Sequence, residues 1–198
     1  ISTRDWSSDV CSSDLSRGAA LLKFWRLACG EKIDLHPLHA EGRLSDEARK
    51  EAMTLFRSTI DTMKERYGRW DIPWGEAHVV GRGGTYFPAP GADFDKGDKE
   101  SNFSETLMDV RSAEDPTKPG RFIANSGSMA VILMFFGPDG VESFTCTPWG
   151  QSAHPESPHY VDQAEKVYSK REMKNTWWKK DDLLRHVESQ KTFRWPRQ

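Results

Sequence analysis

Two histidines, an aspartate and two serines crowd one short stretch, Gly150-Gln151-Ser152-Ala153-His154-Pro155-Glu156-Ser157-Pro158-His159-Tyr160-Val161-Asp162-Gln163. Imidazoles near a carboxylate can hold a metal ion or move protons, and a serine beside an imidazole can act as a nucleophile. The spacing argues against a metal. Zinc takes three or four converging ligands, and His-x4-His on a proline-rich loop is not the helical HExxH arrangement. The competing reading has His154, His159 and Asp162 hydrogen-bonding the loop backbone and its neighbours. Small residues and prolines make the stretch poor material for helix or strand, so it reads as an ordered loop with special backbone geometry or anchored side chains.

Other chemistry-bearing runs resolve in the same direction. Gly81-Arg82-Gly83-Gly84 lacks the strand–GxxxxGK[ST]–helix setting of a phosphate loop and reads as a turn. Asn125-Ser126-Gly127-Ser128 is not GxSxG and leads into a strand, so neither serine is assigned as a nucleophile. The acids of Asp93-Phe94-Asp95-Lys96-Gly97-Asp98 lack the twelfth-position glutamate and flanking helices of a calcium loop, and read as solvated. His36 and His39 read as polar loop groups. The 8 tryptophans invite a ligand-binding reading. Trp25, Trp70 and Trp74 fall in segments that pack, though, and Trp177-Trp178 lies on an amphipathic stretch. No catalytic, cofactor-binding or metal-binding residue is assigned.

These runs are positioned by elements the pattern makes legible. Ala19 to Leu27 has a helix-compatible apolar cluster that Gly30 terminates. Ser45 caps a second helix with Asp46 and Glu47 in its first turn. Ala48, Ala52, Leu55, Phe56, Ile60 and Met63 form its packed face, and Gly68 stops it. Trp70 to Val80 reads as an aromatic turn entering an extended segment. Gly81 to Gly120 is rich in Gly, Pro, Asp and Ser, with short strands near Thr85–Phe87 and Thr106–Val110. Ser128 to Phe136 and Val141 to Thr147 flank Gly137-Pro138-Asp139-Gly140, which predicts a β-hairpin. Its first arm is apolar without alternation, which predicts burial on both faces. Lys166 to His186 reads as one helix or two short ones, with Asp181 as a cap, and Thr192 to Gln198 as an extended or frayed tail. The fold class is α+β, with an antiparallel hairpin buried near 128–147.

The 198 residues fit one domain or part of a larger one, with 36% apolar residues and a mean hydropathy of −0.72. No run is long enough to span a bilayer. Residues 1–15 stand apart: Asp5 to Leu15 has neither periodicity nor signal-peptide order, and it matches the codon-by-codon translation of a common sequencing adapter. On that reading 1–15 is a non-native leader, the protein proper is 16–198, and the reading frame is truncated upstream. The chain has 28 basic and 30 acidic residues, and setting aside Arg4, Asp5, Asp9 and Asp14 leaves 27 of each. A balanced charge gives no electrostatic case for nucleic acid. Cys29 and Cys146, without metal spacing, fix neither a disulfide nor a redox compartment.

Several features, in this order, resemble the penicillin acylase family, in particular its acyl-homoserine-lactone and aculeacin acylase-like branch. They are Lys64-Glu65-Arg66-Tyr67-Gly68, the stretch Ile72-Pro73-Trp74-Gly75-Glu76-Ala77-His78, Arg82-Gly83, and a strand entry at Ser126-Gly127-Ser128. The hairpin, the GQSxxPxSPHYxDQ stretch from Gly150 to Gln163 and Tyr168-Ser169-Lys170-Arg171-Glu172-Met173-Lys174 complete the set. The structural family motif comprises Trp74, Gly75, Glu76, Gly150, Gln151, Ser152, Ser157, Pro158, His159, Tyr160, Asp162 and Gln163. The resemblance covers about residues 16–195. It implies the C-terminal part of an αββα N-terminal-nucleophile hydrolase, matured by self-cleavage into two chains. It also implies a cofactor-free enzyme that cleaves N-acyl amide bonds of penicillin, homoserine-lactone or lipopeptide type, located in the periplasm or secreted. In that family a chain-initiating serine is activated by its own α-amino group, and an asparagine and backbone N–H hold the oxyanion. All of these fall upstream of the matched region. Ser2 and Thr3 follow Ile1 and have no free α-amine. The implied partners are the upstream part of the large chain, the small chain and an N-acyl substrate. His159, Tyr160, Asp162 and Gln163 would anchor the loop and Pro158 fix its backbone. The alternative is an autonomous tryptophan-rich binding module without catalysis.

Overall fold

The computed structural model describes residues 17–30, 32–35, 41–91, 110–138 and 140–194. The expected leader, His36, His39, the Asp93–Asp98 acids and most of the Thr106–Val110 strand lie outside the described residues. Helix α1 spans Arg17–Cys29 and α2 spans Asp46–Tyr67. The α2 ends follow from local chemistry. Ser45 accepts a hydrogen bond from the Ala48 amide, and Gly68, at φ 75°, returns its own amide to the Lys64 carbonyl in the left-handed conformation glycine adopts without penalty.

Helix α1 packs on α2 and on the short helix α3 (Trp74–Ala77). Their shared core holds Leu21, Phe24, Met63, Ile72, Trp74 and Phe122. Phe24 meets both Tyr67 and Phe122 edge-on, with ring centroids 5.9 and 5.7 Å away. A second cluster joins Cys29 and Ile33 to Ala52, and the Trp25 indole donates to the Ala52 carbonyl. Trp74 is buried and donates to the Gly91 carbonyl. Trp70, expected to pack, is 44% exposed, because it lies in the turn leading away from α2 and not on a packed face.

Two sheets follow. Strands β1 (His78–Arg82), β2 (Thr85–Pro88), β3 (Val110–Glu114) and β4 (Phe122–Gly127) form a sheet in the order β2-β1-β4-β3. Strand β1 pairs antiparallel with β2 and parallel with β4. Strands β5 (Val131–Gly137), β6 (Gly140–Cys146) and β7 (Lys174–Asn175) form the second sheet. The sheets share a core of Val80, Ala89, Val110, Ala124, Val131, Cys146, Ala164 and Tyr168.

Four expectations are corrected. The expected hairpin is present as β5 and β6, but beyond Val131 its apolar arm is largely exposed: Ile132 54%, Phe135 56% and Phe136 79%. An apolar run without alternation does not by itself bury a strand, and from Met134 to Gly137 the arm is exposed. Ser126 and Gly127 end strand β4 instead of opening the hairpin arm, which starts at Val131. Lys166 to His186 is not one or two helices alone. Helix α4 (Asp162–Lys166) begins earlier, a 3-10 turn spans Tyr168–Lys170, β7 pairs with β6, and α5 is Lys180–Arg185. Finally, Asp181 lies in the first turn of α5 while Lys179 holds the cap position.

Candidate functional site

The turn between β1 and β2 builds one half of the site. Gly83 and Gly84 have φ of 62° and 86°, the two positive values that a type I′ hairpin demands. That tight turn leaves Arg82, the last residue of β1, facing the Gly150–Gln163 loop from 68 to 78 residues away in sequence.

Arg82 threads its guanidinium into the loop. Nε and Nη2 donate to the Tyr160 carbonyl at 3.1 and 2.8 Å, and Nη2 also reaches the carbonyls of Gly150 (3.4 Å) and Ser152. Its carbon lies 4.2 Å from the Tyr160 ring centroid. A rigid fork of N–H donors can serve converging carbonyls while its flat face stacks on an aromatic ring, and an ammonium cannot do both. The fit is close. A Cβ at Gly83 would lie 2.7 Å from Tyr160 Cε1, and one at Gly150 would lie 2.0 Å from the His159 carbonyl oxygen.

The loop also ties itself. Ser152 N donates to the His159 carbonyl at 3.1 Å, and Ala164 N closes onto the Trp149 carbonyl at 2.7 Å. The hydroxyls of Ser152 and Ser157 accept from the amides of His154 and His159, two residues on. Those hydroxyls therefore support turns, and no described contact gives either one an imidazole base. His159 Nδ1 lies 2.8 Å from Asp162 Oδ2, and its Nε2 lies 3.1 Å from Glu188 Oε2. The Asp162 bond first, and then Glu188, raise the His159 pKa above its ordinary value. His154 faces Glu156 at 3.7 Å instead of converging with His159 and Asp162. Among the described residues no group of three or more His, Cys, Asp or Glu is placed to hold a metal ion.

The remaining motif residues divide by environment. Trp74 and Gly75 are buried under α1, whereas Glu76 is exposed and pairs with Arg69. Gln151 and Pro158 are exposed, and Tyr160 is half-buried beneath Arg82. Gln163 is buried at the start of α4, where its carbonyl accepts from Val167 N. Sequence reasoning missed Arg82 as the residue that fastens the loop. The available signal was a single arginine between glycines at a strand end, and it named no partner.

A different surface forms a cleft of about 810 Å³ between the hairpin tip and the segment entering α5. Phe136, Val141, Trp177 and Trp178 line it with Glu142, Lys179 and Asp182 at the edge. Its lining mixes these apolar side chains with polar ones, Ser143, Asn175 and Thr176 among them. No helix among the described residues is long and apolar enough to cross a membrane.

The chain matches one family of known proteins. The penicillin amidase family model matches residues 4–184, nearly the whole chain. The chain belongs to the penicillin amidase family. Among solved structures it is similar to a thermostable penicillin G acylase from Alcaligenes faecalis, with 18% identity and a TM-score of 0.35. That likeness covers 90% of this chain and 29% of the acylase, so the chain spans under a third of that protein's length. The family assignment rests on the family match and not on this superposition. No curated protein matches the chain.

Proposed function

We propose that this chain is the C-terminal part of the large chain of an N-terminal-nucleophile amide hydrolase, in which it supplies sheet and clasp and not the nucleophile. The family match over residues 4–184 carries this reading. The site supports it, since the Ser152 and Ser157 hydroxyls accept turn amides and the His159 ring lies against the Asp162 and Glu188 carboxylates. The twelve motif residues then act structurally: Trp74, Gly75 and Glu76 seat the first sheet, and the loop residues lock the chain after β6. Catalysis would need the serine-initiated chain start and oxyanion donors of the rest of the protein, with the small chain as partner. N-acyl amides are the proposed substrates, of penicillin, acyl-homoserine-lactone or lipopeptide type, and the αββα sandwich, self-cleavage and a periplasmic or secreted location belong to the same proposal. Residues 1–15 remain proposed as translated adapter, although the family match begins at residue 4.

An independent DNA read of the upstream region tests the reading: an in-frame large chain that begins with serine supports it, and a start codon close to Ser16 contradicts it. The cleft beside Trp177 and Trp178 favours the second reading, a ligand-binding module. That module would be a cooperative monomer whose tryptophan fluorescence is quenched by ligand.

A further inference from the structure

His159 stands between two carboxylates from different parts of the chain, Asp162 at the start of α4 and Glu188 in the segment after α5. A neutral imidazole carries one ring proton. It can donate to one of these oxygens and must set a lone pair against the other, whereas imidazolium donates to both. We propose that protonated His159 latches the segment around Glu188 onto the Gly150–Gln163 loop, and that loss of the proton releases that segment while the loop stays closed.

The two sides of the latch are unequal. The Asp162 side chain is 20% exposed and three residues away, whereas Glu188 is 76% exposed and lies in the irregular segment after α5. The neutral tautomer therefore keeps its proton on Nδ1 for Asp162, and the Glu188 contact is the one given up. The loop does not open with it, because Arg82 on β1 holds the Gly150, Ser152 and Tyr160 carbonyls without using the imidazole. Asp162 and Glu188 are the charged groups that act on His159; within the loop His154 and Glu156 face each other, and on α5 Arg185 pairs with Asp182. His186 stacks on Trp177, with centroids 4.4 Å apart. Because both carboxylates favour the charged ring, the latch is closed at low pH and opens as pH rises through a pKa above the ordinary histidine value.

The test is an NMR titration of the full chain, labelled in histidine and backbone nitrogen, from about pH 5 to about pH 9. The His159 ring and the amides of residues 187–189 should follow one titration in the native chain. In Glu188→Gln the ring midpoint should fall and those amides should stop following it. Glu188 is exposed, so the variant keeps its fold. An unchanged midpoint in Glu188→Gln, or amides of residues 187–189 indifferent to the His159 proton in the native chain, would overturn the latch.

Discussion

Arg82 does at residue scale what a longer stretch of secondary structure would do elsewhere: it satisfies carbonyls that a proline-rich loop cannot pair by itself. Removing it leaves those acceptors half-buried without donors, a cost of about 1–3 kcal/mol per group. Arg82→Ala should therefore lower stability by several of these steps, to be read in chemical denaturation. Arg82→Lys should recover little of the loss, since an ammonium matches neither the fork nor the stacked ring. Gly83→Ala should also destabilise, through the positive φ and the Tyr160 contact together. A second residue-scale prediction concerns acid. Thr117, through its hydroxyl and its amide, and then Arg121, hold the Asp115 carboxyl down to a pKa of about 2. The stabilisation is complete above the unfolded value of about 4 and is lost as pH falls toward about 2. Melting temperatures of the native chain and Asp115→Asn should thus differ most at neutral pH and converge as pH approaches 2.

At the scale of elements, α2 is the clearest case of sequence specifying structure. Ser45, the acidic first turn, the apolar face and Gly68 all report one helix, and each is local. Ser45→Ala should cost about 1 kcal/mol. Met63→Ala should cost about 2–5 kcal/mol, because Met63 is fully buried between α1 and the aromatic cluster. Both are measured by the denaturant midpoint at constant slope. The hairpin was legible for the same reason, a turn between two strand-like runs. Strand β7 was not: two residues carry no period, and their state is set by β6, about thirty positions away. The Gly150–Gln163 loop was legible as a loop, and His159 with Asp162 as a local pair. Its fastening was not, because Arg82 lies 68 to 78 residues upstream and any arginine at a strand end looks alike in sequence.

At the scale of the whole molecule, the arm of β5 and the cleft beside Trp177 and Trp178 leave large apolar side chains exposed among the described residues. Phe135, Phe136, Trp178 and their neighbours make an apolar surface of the kind that drives association. The isolated chain should bind a hydrophobic dye or self-associate in light scattering, and Phe136→Asp should reduce both without lowering the melting temperature. A strict monomer that ignores the dye would favour the autonomous module. The polar, well-fastened loop at the opposite end of β6 shows why an accumulation of Ser, His and Asp is weak evidence of catalysis when each side chain is already committed to a turn or a carboxylate. The most direct measurement is hydrolysis of a chromogenic N-acyl amide by the purified chain. No turnover above buffer is expected from a chain that supplies sheet and clasp; turnover that disappears when Ser152, Ser157 or His159 is replaced by alanine would contradict that role.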